Sequence, residues 1–245
     1  MTKVYRIAEK NIAITTLYDT ATRMCREYLI PGGRTDFSVV TDRADIEFER
    51  ERSAREDEAE GLPVRHFSDG YLETLAVLRR IAERMPFYDT ILFHGSCVAV
   101  DGLGYLFTAK SGTGKSTHTR LWREYLGDRA VMINDDKPMI RLTGEGPVAC
   151  GTPWDGKHHL STNMSVPLKG LCLLERGETN VIRRISPFEA FPGLVQQTYR
   201  PLDREAAVRT LDLVGRLAES VSLFRLSCNM DPQAAVTAYE AMKDG

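Results

Sequence analysis

The spacing of apolar positions changes twice along the chain. Residues 5–16 are rich in β-branched and aromatic side chains, which predicts a strand pair or a strand with a bend. Asp19 stands where it can cap a short helix running to about residue 29. Pro31-Gly32-Gly33 closes that helix before a strand over residues 36–41. In Asp45-Ile46-Glu47-Phe48-Glu49 the alternation puts Ile46 and Phe48 on one face of an extended segment, so residues 44–51 are predicted as a strand with a wet face. Residues 52–60 are polar enough to read as a loop or exposed edge. From Ser68 the period becomes helical. With Ser68 or Asp69 as cap, Leu72, Leu75, Leu78 and Ile81 recur at three-residue spacing, and Pro86 ends the run.

Beyond Phe87 short apolar runs dominate. Residues 90–100 form two of them, interrupted by His94-Gly95-Ser96, and Asp101-Gly102 turns the chain into another strand over 103–108. Further strands are predicted at 130–133, 139–142, 148–150, 168–175 and 180–185. Ser186-Pro187-Phe188-Glu189 has the cap, first-turn proline and acid of a helix start. After a break near Pro201, helices over 203–217 and 231–242 flank a strand at 221–227. The fold class expected is α/β, with more sheet than a simple alternating nucleotide fold. A small N-terminal domain rich in strands (1–86) precedes a larger catalytic domain (87–245).

Composition narrows the function classes. A chain of 245 residues with 42% hydrophobic content is long enough for one sizeable core with a smaller domain beside it. With 32 basic and 34 acidic residues, it offers no broad cationic surface for nucleic acid or an anionic membrane. No segment approaches the roughly 20 apolar residues that span a bilayer, and the first residues lack a secretion signal's apolar run, so a cytoplasmic location is expected. Cys25, Cys97, Cys150, Cys172 and Cys228 lack CxxC spacing, which argues for ordinary reduced thiols.

The strongest chemical signal is Ala109-Lys110-Ser111-Gly112-Thr113-Gly114-Lys115-Ser116-Thr117. It follows an apolar strand and opens a helix carrying Leu121 and Trp122, the context of a phosphate loop (P-loop), although Ala109 stands where the usual motif has glycine. Gly112 and Gly114 let the backbone curl so that N–H groups point inward, and the helix adds its positive end. Lys115 can place a cation beside the β- and γ-phosphates, and Ser116 can ligate magnesium. His118, one turn into the helix, reads more readily as solvent-facing or interior than as a phosphate contact.

Asn134-Asp135-Asp136 ends the strand about twenty residues further on. One carboxylate at such a strand end can hold magnesium, and the other can orient or deprotonate an accepting hydroxyl. In Gly151-Thr152-Pro153-Trp154-Asp155-Gly156-Lys157-His158-His159, Asp155 can contribute to metal geometry and Lys157 can contact a phosphate or acidic acceptor. The adjacent histidines face different directions in most backbones and have no evident third partner for zinc.

Taken in order, Phe93-His94-Gly95, the phosphate loop and the paired aspartates resemble the catalytic core of bacterial HPr kinase/phosphorylases, and more distantly ATP-dependent phosphoenolpyruvate carboxykinases. The resemblance covers roughly residues 87–186. It implies a strand-rich P-loop nucleotide domain of that type that uses ATP and Mg2+ to phosphorylate a protein serine; the small N-terminal domain, expected to be α+β, lies outside the resemblance. Carried over by position, His94 supports an acid/base carboxylate, Lys115 and Ser116 engage phosphates and magnesium, Asp135 is the proton acceptor and Asp136 organises the metal. Residues 151–159 depart from the acid-rich signature of the family, and its basic C-terminal loop is missing, so neither HPr nor the reverse reaction is implied. A compact, divergent kinase acting on a hydroxyl of a peptide, small protein or small molecule is expected. A nucleotide-operated regulatory module without phosphotransfer is the alternative. Family members are typically hexamers, which admits a homo-oligomer here.

Overall fold

A computed structural model of the protein describes residues 2–59 and 61–244, with Lys157 described by its backbone alone. The chain divides into two compact units, Met1–Glu83 and Arg84–Gly245.

In the first unit β1 (Thr2–Ile7) and β2 (Lys10–Thr15) form an antiparallel hairpin. Helix α1 (Thr20–Met24) and a 3-10 turn then lead to β3 (Phe37–Val40), which pairs parallel to β2. The strand and loop expected over residues 44–59 are instead one helix, α2 (Arg43–Ala59), and residue 60, the last of the expected loop, lies outside the described residues. Its buried face is largely acidic. Asp45 and Glu49 receive Arg79 of α3 (Asp69–Arg84), with Nη2 2.6 Å from Asp45 Oδ1 and Nε 2.6 Å from Glu49 Oε1. Arg80 Nε adds a third contact at 3.0 Å to Asp45 Oδ1. Ile46 and Phe48 alternate as in a strand, but the segment is rich in Glu, Arg and Ala, good helix formers, and as a helix it buries charge against a partner helix. Phe48 lies under the Arg79 guanidinium, 4.5 Å from its carbon to the ring centroid. Helix α3 itself follows the predicted period. Its buried Glu73 accepts from Leu17 N (2.6 Å), Tyr18 N (2.8 Å) and Thr41 Oγ1 (2.7 Å), tying the strand ends to the helix.

The second unit is an α/β layer structure around a curled, mostly antiparallel sheet. Its elements run β4 (Thr90–Leu92), β5 (Ser96–Val100), β6 (Leu103–Thr108), α4 (Lys115–Leu126), β7 (Ala130–Asn134), β8 (Met139–Thr143), β9 (Gly146–Cys150) and β10 (Ser165–Arg176). They continue through β11 (Val181–Arg184), α5 (Pro187–Gln197), α6 (Arg204–Ser220), β12 (Ser222–Cys228) and α7 (Gln233–Lys243). The strand order is β4-β8-β9-β10-β6-β5-β7, with β12 bridging β10 and β11. Strand β10 is the pivot. Its start pairs antiparallel with β9, and the rest lies parallel to both β6 and β12.

Period-2 alternation gives this sheet two apolar faces. Cys97, Ala99 and Leu106 pack with Leu194 of α5 and Leu213, Val214 and Leu217 of α6. Val98, Val100, Tyr105 and Phe107 point the other way, onto Leu121 and Trp122 of α4 and Ala234, Ala238 and Met242 of α7. Ser186 caps α5 by accepting from Glu189 N, as its sequence position predicts, and Asp203 caps α6 by accepting from Ala206 N. All five cysteines are free. Among the described residues no helix is long and apolar enough to cross a membrane.

Candidate active site

Strand β6 delivers the chain to Ala109 and α4 takes it away at Lys115, so the segment between must curl tightly. Gly112 (φ 74°) and Gly114 (φ 122°) take backbone conformations that strain any residue with a Cβ. Gly114 is also the N-cap of α4 and has no side chain to offer, so the first-turn N–H groups have no side-chain cap. Lys115 folds back and donates from Nζ to the Ala109 carbonyl at 3.0 Å. Its side chain is buried, and burial lowers its pKa. The negative charge of Asp136 opposes that shift, Lys137 adds to it, and Asp135 opposes it more weakly. A second cation reaches the loop from the sheet: Arg176, the last residue of β10, donates from Nη2 to the Gly112 carbonyl at 2.6 Å. Lys110 and Ser111 are exposed on the loop, Thr113 is half-buried, and Ser116 and Thr117 are half-buried in the first helical turn.

The acids stand at the end of β7, where Asn134 stops the strand. Its Oδ1 accepts from the backbone N–H groups of Asp136 (2.9 Å) and Lys137 (2.6 Å), an Asx-type turn. Its amide nitrogen donates to the carbonyls of Thr152 (3.0 Å) and Trp154 (3.3 Å), fastening the 151–155 segment beside the acids. The turn sends the two carboxylates into different surroundings. Asp135 is buried, and its Oδ1 accepts from Ser96 Oγ at 2.7 Å. Ser96 Oγ in turn lies 2.8 Å from Thr119 Oγ1 on α4. Asp136 is half-buried, with Lys137 Nζ 2.9 Å and His94 Nε2 3.4 Å from its Oδ1.

His94 is placed by backbone pairing on both sides. Phe93 N and Gly95 N donate to the carbonyls of Pro138 (3.0 Å) and Asp136 (3.1 Å), while His94 N donates to the Gln197 carbonyl (2.7 Å). A Cβ at Gly95 would stand 2.9 Å from Leu106 Cδ1 and 3.0 Å from the Phe107 carbonyl, so glycine is what lets this segment close on β6. The His94 pKa falls to about 4, chiefly through burial and then through the positive charges of Lys137 and Lys115. Its imidazole is therefore neutral at pH 7.

Of the sequence-predicted site residues, the structure gathers Lys115, Asp135, Asp136 and His94 at one end of the sheet. Asp155 is buried but turned to its own loop, accepting from Ser161 Oγ at 2.9 Å and meeting His159 Nδ1 at 3.2 Å. The side chain of Lys157 lies outside the described residues. Lys137, Arg176, Ser96 and Thr119 were not predicted. Among the described residues no group of three or more His, Cys, Asp or Glu side chains gathers as a metal cluster.

His118 belongs to the interior. Its ring packs edge-on against Phe107 at 4.7 Å between centroids, and its Nε2 accepts from Trp122 Nε1 at 3.1 Å. Burial depresses its pKa to about 4. In the unfolded chain a histidine protonates near 6.5, so the unfolded state binds more protons as pH falls, and native stability drops between about 6.5 and 4. The shift to about 4 corresponds to about 3 kcal/mol across that window. His118→Phe is expected to remove this contribution from the pH slope of the urea midpoint. A slope unchanged from the wild type would refute the assignment.

No family model matches the chain, and no curated protein matches it. Among solved structures, the HPr(Ser) kinase/phosphatase from Coxiella burnetii aligns with 63% of this chain and 99% of its own. The identity is 10% and the TM-score 0.37.

Proposed function

We propose that the second unit is a magnesium-dependent kinase of the HPr-kinase-related P-loop type. It transfers the γ-phosphate of ATP to a hydroxyl, in the first instance a serine of a peptide or small protein. The observation that carries this reading is the convergence of a buried Lys115, at the start of α4, with the charges of Asp135 and Asp136. A cation for the phosphates and carboxylates for the acceptor and the metal thus stand at one sheet end, which is the equipment phosphoryl transfer requires.

The roles divide by surroundings. The N–H groups of the first helical turn, which lack a side-chain cap, hold the phosphates, and Lys115 compensates their charge. Ser116 and Asp136 offer a hydroxyl and a carboxylate, a hard oxygen set that suits magnesium, which takes its remaining partners from phosphate and water. When bound, that ion would draw charge from the phosphate oxygens. Asp135, with one oxygen fixed by Ser96, receives the acceptor hydroxyl's proton. His94, neutral at pH 7, braces Asp136 without adding positive charge. Arg176 and Lys115 each hold a loop carbonyl and keep the loop curled.

The test is transfer of labelled γ-phosphate from ATP, with magnesium, into fractionated peptides and metabolites, followed by mass identification. Label in a peptide serine supports the reading. Label confined to a small molecule moves the acceptor to a metabolite, and nucleotide binding without transfer to any fraction favours a regulatory module. Because Arg176 acts through the loop, Arg176→Ala is expected to raise the KM for ATP about fivefold, the net worth of one ordinary hydrogen bond at an exposed side chain, with kcat little changed. An unaltered KM would show that the Gly112 contact does not shape the loop in solution.

A further inference from the structure

Three buried oxygen atoms connect the helix that follows the phosphate loop to the carboxylate across from it. Ser96 is 0% and Thr119 1% exposed, so solvent does not supply the two hydroxyls' hydrogen bonds, and Asp135 is 6% exposed. We infer that Ser96 is a positioning residue for Asp135, and that Thr119 fixes the direction of the Ser96 hydroxyl; the inference rests on the phosphotransfer reading above.

Counting protons gives the arrangement its polarity. An ionised carboxylate only accepts, and a serine hydroxyl has a single proton. At 2.7 Å from Asp135 Oδ1, Ser96 gives that proton to the carboxylate. The 2.8 Å contact between Ser96 Oγ and Thr119 Oγ1 must then carry the threonine's proton. The other acceptors within reach of Thr119, the carbonyls of Lys115 and Ser116, are each 3.3 Å away. The donations run from Thr119 to Ser96 to Asp135, and each hydroxyl polarises the next. Oδ1 of Asp135 is thereby engaged, and Oδ2 is the oxygen left for the acceptor's proton.

The sheet does not require hydroxyls here. Ser96 opens β5, whose remaining residues, Cys97 to Val100, are all buried and apolar, and its registered neighbour on β6 is Phe107. Burying a hydroxyl in such a place is costly unless it is hydrogen-bonded. Its partners are the carboxylate and a threonine one turn beyond Lys115. Any shift of the first helical turn on phosphate binding reaches Asp135 through two hydrogen bonds. The helix that holds the nucleotide and the group that receives the proton are therefore mechanically joined.

The experiment uses the full chain, magnesium ATP and the extract fraction into which the wild type transfers label. Ser96→Ala is expected to lower kcat about 10- to 100-fold, the cost of a misplaced catalytic group, with the KM for ATP nearly unchanged. Thr119→Val is expected to lower kcat in the same direction by about three- to tenfold, and Thr119→Ser to restore it. In an Asp135→Asn background Ser96→Ala is expected to add less than about twofold, because its effect passes through that side chain. A full loss in that background, or a folded Ser96→Ala with wild-type kcat, would overturn the inference while leaving the kinase reading intact. If Ser96→Ala does not fold, the Thr119→Val and Thr119→Ser pair decides, and equal rates in both would overturn it. Failure of the wild type to transfer label to any fraction would overturn the kinase reading and this inference with it.

Discussion

Replacing Lys115 with methionine is expected to weaken magnesium ATP binding by about 10- to 100-fold, the worth of a charged hydrogen bond, and to lower transfer by about a further hundredfold, while the protein stays folded. The two halves of that expectation have separate physical causes. The amine is buried, burial lowers its pKa, and its hydrogen-bond acceptor is a neutral carbonyl, that of Ala109. An ammonium in such a place is an electrostatic cost to the free protein that a bound polyphosphate offsets. Methionine keeps the straight chain and removes the charge. Thermal melting should therefore show an unchanged or higher Tm, and calorimetric titration with magnesium ATP should show the lost affinity. Retained affinity in a folded Lys115→Met variant would remove the loop from the nucleotide site. Arg176→Ala provides an internal comparison, since it reaches the same loop from an exposed position and should cost far less.

How much of this was legible in the sequence depends on what each element buries. Helix α3 buries apolar residues at a helical period and strands β4 to β6 are short, nearly continuous apolar runs, so the local pattern finds them. Helix α2 buries Asp45 and Glu49 against Arg79 and Arg80, so its determining contacts lie on another helix and a count of apolar alternation misleads. The pattern of the N-terminal hairpin suits a strand pair and a bent strand alike, and its turn, with Ala8 and Glu9 both at positive φ, is what makes it a pair.

The same distinction runs through the site. The glycine loop before α4 and the paired aspartates are local, and residue types at fixed spacing suffice to single them out as candidates. Arg176 depends on strand pairing: Leu173 registers with Thr108 across the parallel β10–β6 pair, so the residue three further on arrives beside the loop that follows β6. Nothing in the periodicity of either strand announces that neighbour. Ser96 and Thr119 left a fainter signal, a hydroxyl opening an otherwise apolar strand and another one turn beyond the loop lysine. Their meeting required the packing of α4 on β5. Asp155 was marked by its glycine- and proline-rich loop, but the sequence could not say that Ser161 and His159 would engage its carboxylate.

Asp135→Asn is the sharper test of the chemistry. The variant is expected to fold, to bind magnesium ATP with nearly wild-type affinity and to transfer phosphate about a thousandfold more slowly, within the range for loss of a general base. The Ser96 hydroxyl makes the substitution informative, because it donates to Oδ1 at 2.7 Å and will orient the new amide with its oxygen on the Ser96 side. The amide nitrogen then takes the other oxygen's place, where it can only donate. Proton acceptance is lost while shape and the buried hydrogen bond are kept. Single-turnover transfer measured beside ATP affinity separates the effects: a fall in rate at constant affinity assigns the base to Asp135. Transfer within about tenfold of the wild type in a folded variant would fall short of general-base loss and pass the role to Asp136. In that case Lys137 and His94, which both meet Asp136, become the groups that govern the acceptor side of the site.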